Sequence, residues 1–519
     1  MRPTARRIAL VVLAALLVAV HYARRLPAHR PLSTPRPAAA TAPLDQLRIG
    51  TLQLRRCELG RRGAGGVGTA DAFCTAFDVP EDWDAPSGRH IQLRVAIVRS
   101  AAARAEPDLV AFLDGGPGGA ATEDYPQIAP ALAELRQRRD ILLVDQRGTG
   151  GSNALACAGS DEAGRGSLAL AKPQDMAAIQ RLVQQCLAAV RGHAAPEHYT
   201  TTDAIRDLEA IRVALGAPQL DLLGISYGTR VAQQFAARYP RSVRSVVLDS
   251  VAPNSLVLGS EHARNLEQVL QSLFARCSAD ERCKHSFGDS YATLYRVRDR
   301  LRAQPQALSL RDPSTFEPLH LNFSAADLAT IVRINTYSPV SAALLPLTLH
   351  EADQGNYAPL AGQKKWIADD LGSQIDDGME LSVICAEDAD LLVARPEDAA
   401  TLLGNDQIAK IQSACTVWPR GYRPADFHQP FASTLPVLLL AGQRDPVTPA
   451  AYAKQMLPTL PNARLLLAPG QGHGVIGAGC MPRLVGEFVQ ELKPQALDDR
   501  CLLQLGDIPA FIDFNGAEP

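Results

Sequence analysis

The sequence predicts an α/β fold with a mostly parallel, doubly wound sheet and an inserted helical lid domain. Short, uninterrupted apolar runs recur along the chain, and turn residues followed by a helix-length amphipathic stretch come after each of them. Such runs are typical of strands buried on both faces, as in a parallel sheet covered by helices. The runs are residues 109–113, 141–144, 220–223, 243–248, 437–440 and 465–467.

The strand rhythm stops between residues 248 and 437, where helical patterns dominate, for example at 263–276 and 325–332. Because strand patterns flank this segment on both sides, it is predicted to be an insertion on the sheet. We therefore expect the core of the fold to comprise residues 46–253 and 433–519. Residues 254–432 are expected to form the helical lid.

The composition of the 519 residues excludes several classes of protein. Apolar residues make up 46 % and charged residues 21 %, as in soluble globular domains, whereas aromatic residues make up only 5 %. Residues 1–42 contain seven of the 52 basic residues and no acidic one, so residues 43–519 hold 45 bases against 55 acids. An acidic body repels a phosphate backbone, and we expect no nucleic-acid partner.

The first 45 residues are typical of an export signal followed by a tether. Arg2, Arg6 and Arg7 precede an apolar run at 8–20, which is short for a helix that spans a bilayer. The nearest small-x-small pattern suited to cleavage lies far downstream of the apolar run, at 38–42, so an uncleaved signal that attaches the protein to a membrane stays an alternative. The prolines that follow favour an extended tether. We expect a periplasmic or secreted protein.

The ten cysteines form an even set in which no pair has C-x-x-C spacing. Behind an export signal, disulfides are the natural interpretation, with some free buried thiols as the alternative. The connectivity of ten cysteines cannot be derived from sequence, but pairing them in chain order would close only local loops. Those pairs are 57–74, 157–186, 277–283, 385–415 and 480–501.

Residues 224–228 form a G-x-S-x-G pattern between a predicted strand and a predicted helix. A tight strand-to-helix turn needs glycines beside the serine, and it holds the hydroxyl above the sheet at the positive end of the helix. Ser226 is therefore a candidate nucleophile. The alternative is a structural serine in an ordinary turn.

A serine nucleophile needs a histidine base and a carboxylate. In a fold of the predicted type the carboxylate follows the serine in the chain, and the histidine comes last. Among the 11 histidines only His473 lies beyond residue 428, in a glycine-bracketed loop after the run at 465–467. Two aspartates follow predicted strands, Asp249 and Asp445. We favour Asp445, which a rigid Pro-containing turn follows, and keep Asp249 as the alternative acid.

Acyl transfer also needs two donors for the oxyanion of the tetrahedral intermediate. The glycine-rich segment 114–119 follows the run at 109–113, and Gly116 is the predicted first donor. The backbone N–H of Tyr227, the residue after the nucleophile, is the predicted second donor. A plain glycine turn is the alternative interpretation of the segment.

Together, residues 115–119, 145–150, 224–228, Asp445 and His473 resemble the proline iminopeptidase and tripeptidyl aminopeptidase family of α/β hydrolases, from about Cys57 to Cys501. The resemblance implies the same triad and oxyanion donors, and a tripeptidyl-aminopeptidase-like C-terminal region within 433–519. It implies structural roles for Asp145 and Arg147. Proline iminopeptidases usually have His in place of Asp114, and this difference favours the tripeptidyl-like or another branch.

Aminopeptidases of this family hold the substrate ammonium with carboxylates of the lid. In this chain the acidic cluster after Cys385 could do so, and Glu387 and Asp388 are the predicted substrate-binding residues. The alternative is a solvated acidic start of a helix.

The sequence thus predicts an exported serine aminopeptidase that cleaves peptides from a free N-terminus through an acyl-enzyme, without a metal or an organic cofactor. A carboxylesterase would use the same triad, since the fold does not determine the leaving group. An inactive hydrolase fold that serves as a binding protein is the alternative from another class.

Overall fold

A ten-stranded sheet organises the computed structural model, which describes residues 45–60, 68–157, 175–312, 315–370 and 375–515. The chain divides into two units, Met1–Asp45 and Gln46–Pro519. Apart from Asp45, the first unit, which holds the predicted signal and tether, lies outside the described residues. The strands are β1 Gln46–Ile49, β2 Leu52–Leu59, β3 Ala70–Pro80, β4 His90–Val98, β5 Leu109–Leu113, β6 Ile141–Val144, β7 Leu220–Ile225, β8 Val243–Asp249, β9 Gln306–Arg311, β10 Pro318–Phe323, β11 Val437–Gly442 and β12 Ala463–Ala468.

The α-helices of the described residues all follow β5. In chain order they are α1 Ala121–Ile128, α2 Ala133–Arg136, α3 Met176–Val190, α4 Thr201–Leu215, α5 Tyr227–Arg238, α6 His262–Ala279, α7 Glu281–Phe287, α8 Ser290–Ala303, α9 Ala325–Asn335, α10 Pro339–Ala343, α11 Leu345–Asp353, α12 Ala358–Asp370, α13 Asp377–Glu387, α14 Asp406–Cys415, α15 Ala450–Met456 and α16 Met481–Glu491.

The six apolar runs of the sequence are the six parallel strands of the sheet, in the order β6-β5-β7-β8-β11-β12. Successive side chains of one strand are buried on opposite faces of the sheet, because side chains alternate in direction along a strand. Leu222 and Leu439 pack on one face with α3, α4 and α5, whereas Leu223 and Leu440 pack on the other with α1 and α16. The predicted mostly parallel, doubly wound sheet is confirmed.

Four further strands, β1 to β4, extend the sheet antiparallel from β6, where Val95 pairs with Val144. No apolar run in the sequence predicts them. Strands β1 to β3 alternate between exposed and covered residues, as at the edge of an antiparallel sheet, and so contain no uninterrupted apolar run.

The segment between β8 and β11 holds α6 to α14 and has its own apolar core, which includes Leu270, Phe274, Val297 and Leu328. It also contains a hairpin of β9 and β10 that the helical patterns did not predict. Both hairpin strands alternate between half-buried and exposed residues, so neither contains an uninterrupted apolar run. The boundaries of a lid at residues 254 and 432 stay a prediction.

All ten cysteines form disulfides, in the chain-order pairing that the sequence left as one possibility. The prediction of five bridges is confirmed, and the alternative of free buried thiols is wrong. Disulfides persist in oxidising compartments, so this set indicates an extracellular or other oxidising location. Among the helices of the described ranges, none has both the length and the apolar character required to cross a bilayer.

Removing a disulfide that closes a longer loop should destabilise the protein more. The Cys385–Cys415 bridge joins residues 30 apart, whereas Cys277–Cys283 joins residues six apart. The loop-closure relation predicts that the double alanine variant of the first pair loses about 1.4 kcal/mol more free energy of unfolding than that of the second pair. Urea denaturation of both variants without reductant measures the difference. Equal losses would contradict an effect through loop closure.

Candidate active site

The carboxyl ends of five parallel strands meet at one edge of the sheet and position every predicted catalytic residue. Strands β5, β7, β8, β11 and β12 end at Leu113, Ile225, Asp249, Gly442 and Ala468. The segments that follow them hold the glycine-rich loop, the candidate nucleophile, both candidate acids and the candidate base. Open parallel sheets commonly bind their ligands at this edge.

Ser226 occupies a strained turn between β7 and α5, with φ +54°. The two flanking glycines are required by close backbone contacts. A Cβ on Gly224 would lie 2.4 Å from the Gly228 carbonyl oxygen, and one on Gly228 would lie 2.0 Å from the Leu113 carbonyl oxygen. The G-x-S-x-G pattern therefore reflects the steric demand of a nucleophile elbow.

The glycine-rich loop lies directly against the nucleophile. A Cβ on Gly115 would approach the Cβ of Ser226 to 3.4 Å, and Gly116 has φ +108°. Tyr227 is the first residue of α5, so its backbone N–H has no acceptor within the helix. Its buried side chain is held at the hydroxyl by Thr201 at 2.6 Å and by Gln146 at 3.1 Å. The roles of Gly116 and Tyr227 as oxyanion donors stay predictions.

His473 and Asp445 are in direct contact, with 2.8 Å between the imidazole Nδ1 and the carboxylate Oδ2. Since a carboxylate only accepts hydrogen bonds, Nδ1 carries the proton and Nε2 is left to accept one. Asp445 also accepts bonds from the backbone N–H groups of Val447 and Thr448, each at 2.8 Å. The turn that follows Asp445 thus fixes the orientation of its carboxylate, and the carboxylate in turn orients the imidazole of His473.

The local charges favour an ionised pair. Burial opposes the imidazolium, but the carboxylates of Asp445 and, more weakly, Asp249 raise the pKa of His473 above its ordinary value. Burial likewise opposes the Asp445 carboxylate, yet its contact with His473 and its backbone hydrogen bonds lower its pKa. An imidazolium formed during proton transfer would thus be stabilised where it forms.

Asp249, the alternative acid, does not contact the imidazole. Its carboxylate accepts hydrogen bonds from the backbone N–H groups of Val475 and Ile476, beyond the histidine. The geometry therefore joins His473 to Asp445. The Ser226 hydroxyl makes no hydrogen bond within the described residues; such bonds are often long without substrate and tighten in the Michaelis complex.

Asp145 and Arg147 support the turn beside the glycine-rich loop, as their predicted structural roles require. Asp145 accepts hydrogen bonds from Thr122 and from the backbone of Gly151. Arg147 forms a bidentate pair with Asp207, both bonds at 2.7 Å, and donates to three backbone carbonyl groups. Each side chain is fully buried, so each charge or acceptor is paired rather than solvated.

Glu387 and Asp388 lie at the end of α13 and are almost completely buried. The alternative of a solvated helix start is therefore wrong. The Arg230 guanidinium lies 2.7 Å from the Asp388 carboxylate and 3.7 Å from that of Glu387. Burial raises the pKa of Glu387 to about 7, although Arg230 opposes this. Both carboxylates thus already face a buried cation, and their role in binding an ammonium stays a prediction.

A second pair of carboxylates, Asp377 and Glu380, lies near the glycine-rich loop and was missed by the sequence analysis. The Asp376 backbone N–H donates to the Gly118 carbonyl at 3.0 Å, which brings the start of α13 to this loop. Burial, with the neighbouring acids, raises the pKa of both Asp377 and Glu380 to about 7. No motif marks them, because only the packing of the insertion brings them to the loop.

Three more residues of the insertion surround the base. Tyr337 accepts a hydrogen bond from the His473 backbone N–H at 2.9 Å, and the two rings lie 5.1 Å apart. The Arg333 guanidinium contributes a positive charge that opposes the raised pKa of His473. His262 lies beside Arg333, and burial together with that cation lowers its pKa to about 3. His262 is therefore a neutral side chain near the site.

The described ranges contain no group of three or more His, Cys, Asp or Glu side chains arranged to hold a metal ion. The prediction that no metal or organic cofactor takes part stays a prediction.

Comparison with known proteins identifies the architecture. A family profile described as the alpha/beta hydrolase fold matches residues 108–477. Serine protease Hip1 of Mycobacterium tuberculosis is 28 % identical over 284 residues, which cover 52 % of this chain and 53 % of the relative. The chain therefore spans about half the length of that relative.

Two other relatives differ in the activity that they are named for. Tripeptidyl aminopeptidase of Streptomyces lividans is 30 % identical over 188 residues, or 34 % of this chain and 35 % of the relative. Carboxylesterase B of Mycobacterium tuberculosis is 25 % identical over 464 residues, or 83 % of this chain and 86 % of the relative. The similarity thus spans both peptidases and esterases.

A side chain at position 228 should disrupt the nucleophile turn. The Cβ of Gly228→Ala would meet a backbone oxygen of β5, so β5 or α5 must move. We expect a loss of about 3 kcal/mol or more in the free energy of unfolding, together with loss of activity. The matched control is Gly362→Ala in α12, where an added Cβ meets nothing within 4 Å. It should stabilise the protein by up to about 1 kcal/mol. Thermal unfolding and hydrolysis assays measure the stability and the activity of both variants. Equal stability and equal activity of the two variants would contradict the steric explanation.

The pH dependence of hydrolysis should follow the histidine. Because the raised pKa of His473 must be passed before the imidazole is neutral, kcat/KM should rise with pH through a value above 6.5. Asp445→Asn should lower kcat about 10⁴-fold, since the imidazole loses its orientation and its counter-charge. Asp498→Asn, which removes an exposed partner of Arg500, is the control and should leave kcat unchanged. A small loss for Asp445→Asn would assign the acid elsewhere.

Proposed function

The chain belongs to the alpha/beta hydrolase fold family, and we propose that this hydrolase is a serine aminopeptidase that acts on free N-termini through an acyl-enzyme. The observation that carries the proposal is the 2.8 Å contact of His473 with Asp445 at the sheet edge where Ser226 occupies the strained turn. Serine peptidases and a tripeptidyl aminopeptidase among its relatives support a peptide substrate.

In the proposed mechanism the Ser226 hydroxyl attacks the scissile carbonyl while His473 Nε2 takes its proton. Asp445 stabilises the resulting imidazolium, and the backbone N–H groups of Gly116 and Tyr227 bind the oxyanion. His473 then protonates the leaving amine, which breaks the C–N bond and leaves an ester on Ser226. Water, deprotonated by the same histidine, hydrolyses the ester and restores the serine.

Selection of a free N-terminus requires a carboxylate that pairs with the substrate ammonium. Glu387 and Asp388 are one candidate pair, but Arg230 already supplies them with a cation. Asp377 and Glu380 are the other pair. They form no ion pair within the described ranges, and burial raises the pKa of both to about 7, although the charge of Arg333 opposes this for Glu380. An ammonium could pair directly with these carboxylates, so we favour Asp377 and Glu380.

A carboxylesterase is the second candidate, because Carboxylesterase B matches most of this chain. The triad and oxyanion donors would be unchanged, and only the leaving group and the need for an ammonium would differ. An inactive binding protein is less well supported, since each position of the triad is filled by a residue of the required type.

Export is part of the proposal. The five disulfides require an oxidising compartment to persist, and the basic and apolar N-terminus is typical of a secretory signal. A periplasmic or secreted location, with attachment to a membrane if the signal is retained, accommodates both features.

The decisive experiment compares a free-amine Ala-Pro-Ala amide reporter with its N-acetylated twin. For an aminopeptidase we expect acetylation to lower kcat/KM by at least about 100-fold, because the carboxylates near the loop lose their counter-charge. KM for the free amine should rise as the pH falls below about 7, where Asp377 and Glu380 become protonated. Cleavage of the acetylated twin should depend on the protonation of His473 in the same way, but its KM should not rise as the pH falls.

Variants assign the ammonium site. Asp377→Asn and Glu380→Gln should remove the preference for the free amine, whereas Glu387→Gln should retain it. The reverse result would assign the ammonium to Glu387. Equal cleavage of both reporters, or faster cleavage of esters, would favour the carboxylesterase. Activity that survives in Ser226→Ala would exclude the proposed mechanism altogether.

A further inference from the structure

We infer that Asp249 and Ser250 form a positioning unit that holds the nucleophile turn, the acid strand and the histidine loop in register with one another. Neither residue touches the reacting atoms in the proposed mechanism, and the inference rests on the proposed roles of Ser226, Asp445 and His473. Asp249 is the last residue of β8, which lies between β7 and β11, and Ser250 follows it. Both residues have 0 % exposure. The unit is defined by hydrogen bonds to three separate segments.

The first segment is the nucleophile turn. The Ser226 backbone N–H donates to the Asp249 carbonyl oxygen at 3.0 Å, and Ile225 pairs with Asp249 in the parallel register of β7 and β8. This bond restrains the residue whose φ of +54° is unfavourable for a side chain. The main chain of Asp249 thus helps to hold Ser226 in its strained conformation.

The second segment is the loop that follows the histidine. The Asp249 carboxylate accepts the Val475 N–H at 2.8 and 3.0 Å and the Ile476 N–H at 2.7 Å. The Ser250 hydroxyl accepts the Gly474 N–H at 2.8 Å. Three successive backbone donors after His473 are therefore bound by two side chains, which determines where the loop places the imidazole.

The third segment is the strand that leads to the acid. The Ser250 backbone N–H donates to the Leu440 carbonyl oxygen at 3.0 Å, and Leu440 pairs with Asp249 in the register of β8 and β11. Asp445 follows the end of this strand by three residues. Ser250 has φ +57°, and this turn directs its N–H toward β11 while its hydroxyl reaches the histidine loop.

The charge of Asp249 adds an electrostatic effect to the geometric one. The charged and titratable groups around His473 are Asp445 after β11, Asp249 at the end of β8, Arg333 on α9, Tyr337 between α9 and α10, and His262 on α6, which is neutral. Asp249 and Asp445 favour the imidazolium, and Arg333 opposes it. Burial raises the pKa of Asp249 to about 6, so it is ionised at neutral pH and contributes to the basicity of His473.

The test uses the full chain with Asp249→Asn and Ser250→Ala. Asp249→Asn keeps one oxygen acceptor and replaces the other by an NH2 group, which would face the Val475 N–H donor, so it should displace the loop and lower kcat about 10- to 100-fold. The acid limb of the pH profile of kcat/KM should move to lower pH in this variant, because the His473 imidazolium loses one neighbouring negative charge. Ser250→Ala, which removes one neutral acceptor, should lower kcat about five-fold and leave the acid limb in place.

The matched control is Asp221→Asn, a buried strand aspartate near the start of the neighbouring β7, where it pairs with Arg244. It should lower the thermal stability without moving the acid limb. The inference would be overturned if Asp249→Asn had the wild-type kcat and an unmoved acid limb. If Asp249→Asn did not fold, an unchanged kcat in Ser250→Ala would overturn it. Ser226→Ala separates the two proposals, because activity in that variant would contradict the triad itself.

Discussion

The parallel pairing of β5, β7, β8, β11 and β12 is the constraint on which the candidate site depends. Strands that run in one direction must end at one edge, so residues from 114 to 473 meet although they are far apart in the chain. Helices pack on both faces and bury the apolar side chains of these strands. The strained Ser226 turn is tolerated because glycine at 224 and 228 lets three backbone segments pack closely around it.

Burial has opposite consequences for the charged groups near this edge. Where a partner is present, as for Arg147 with Asp207 or Arg230 with Asp388, a buried pair holds segments together. Asp377 and Glu380 form no such ion pair within the described ranges, and burial raises the pKa of both to about 7, although the charge of Arg333 opposes this for Glu380. Because the pKa of Glu387 is also raised to about 7, the ion pair with Arg230, and not the pKa, separates Glu387 and Asp388 from the carboxylates proposed to bind a cationic substrate.

The insertion completes the surroundings of the triad although it has its own core. Tyr337 supports the histidine loop, Arg333 tempers the basicity of His473, and the start of α13 bonds to the glycine-rich loop. The insertion therefore contributes both backbone contacts and charge to the surroundings of His473.

Local sequence alone determined the six buried strands, the elbow at Ser226 and the formation of disulfides. Uninterrupted apolar runs, steric demands within five residues and an even cysteine set behind a signal all act over short distances in the chain. Only the tertiary structure decided that Asp445 contacts His473 while Asp249 binds the loop behind it, since both aspartates follow strands in the same way. It likewise paired Glu387 and Asp388 with Arg230, more than 150 residues away, and brought the start of α13, which holds Asp377 and Glu380, to the glycine-rich loop. Such contacts depend on packing between distant segments, which no local pattern encodes.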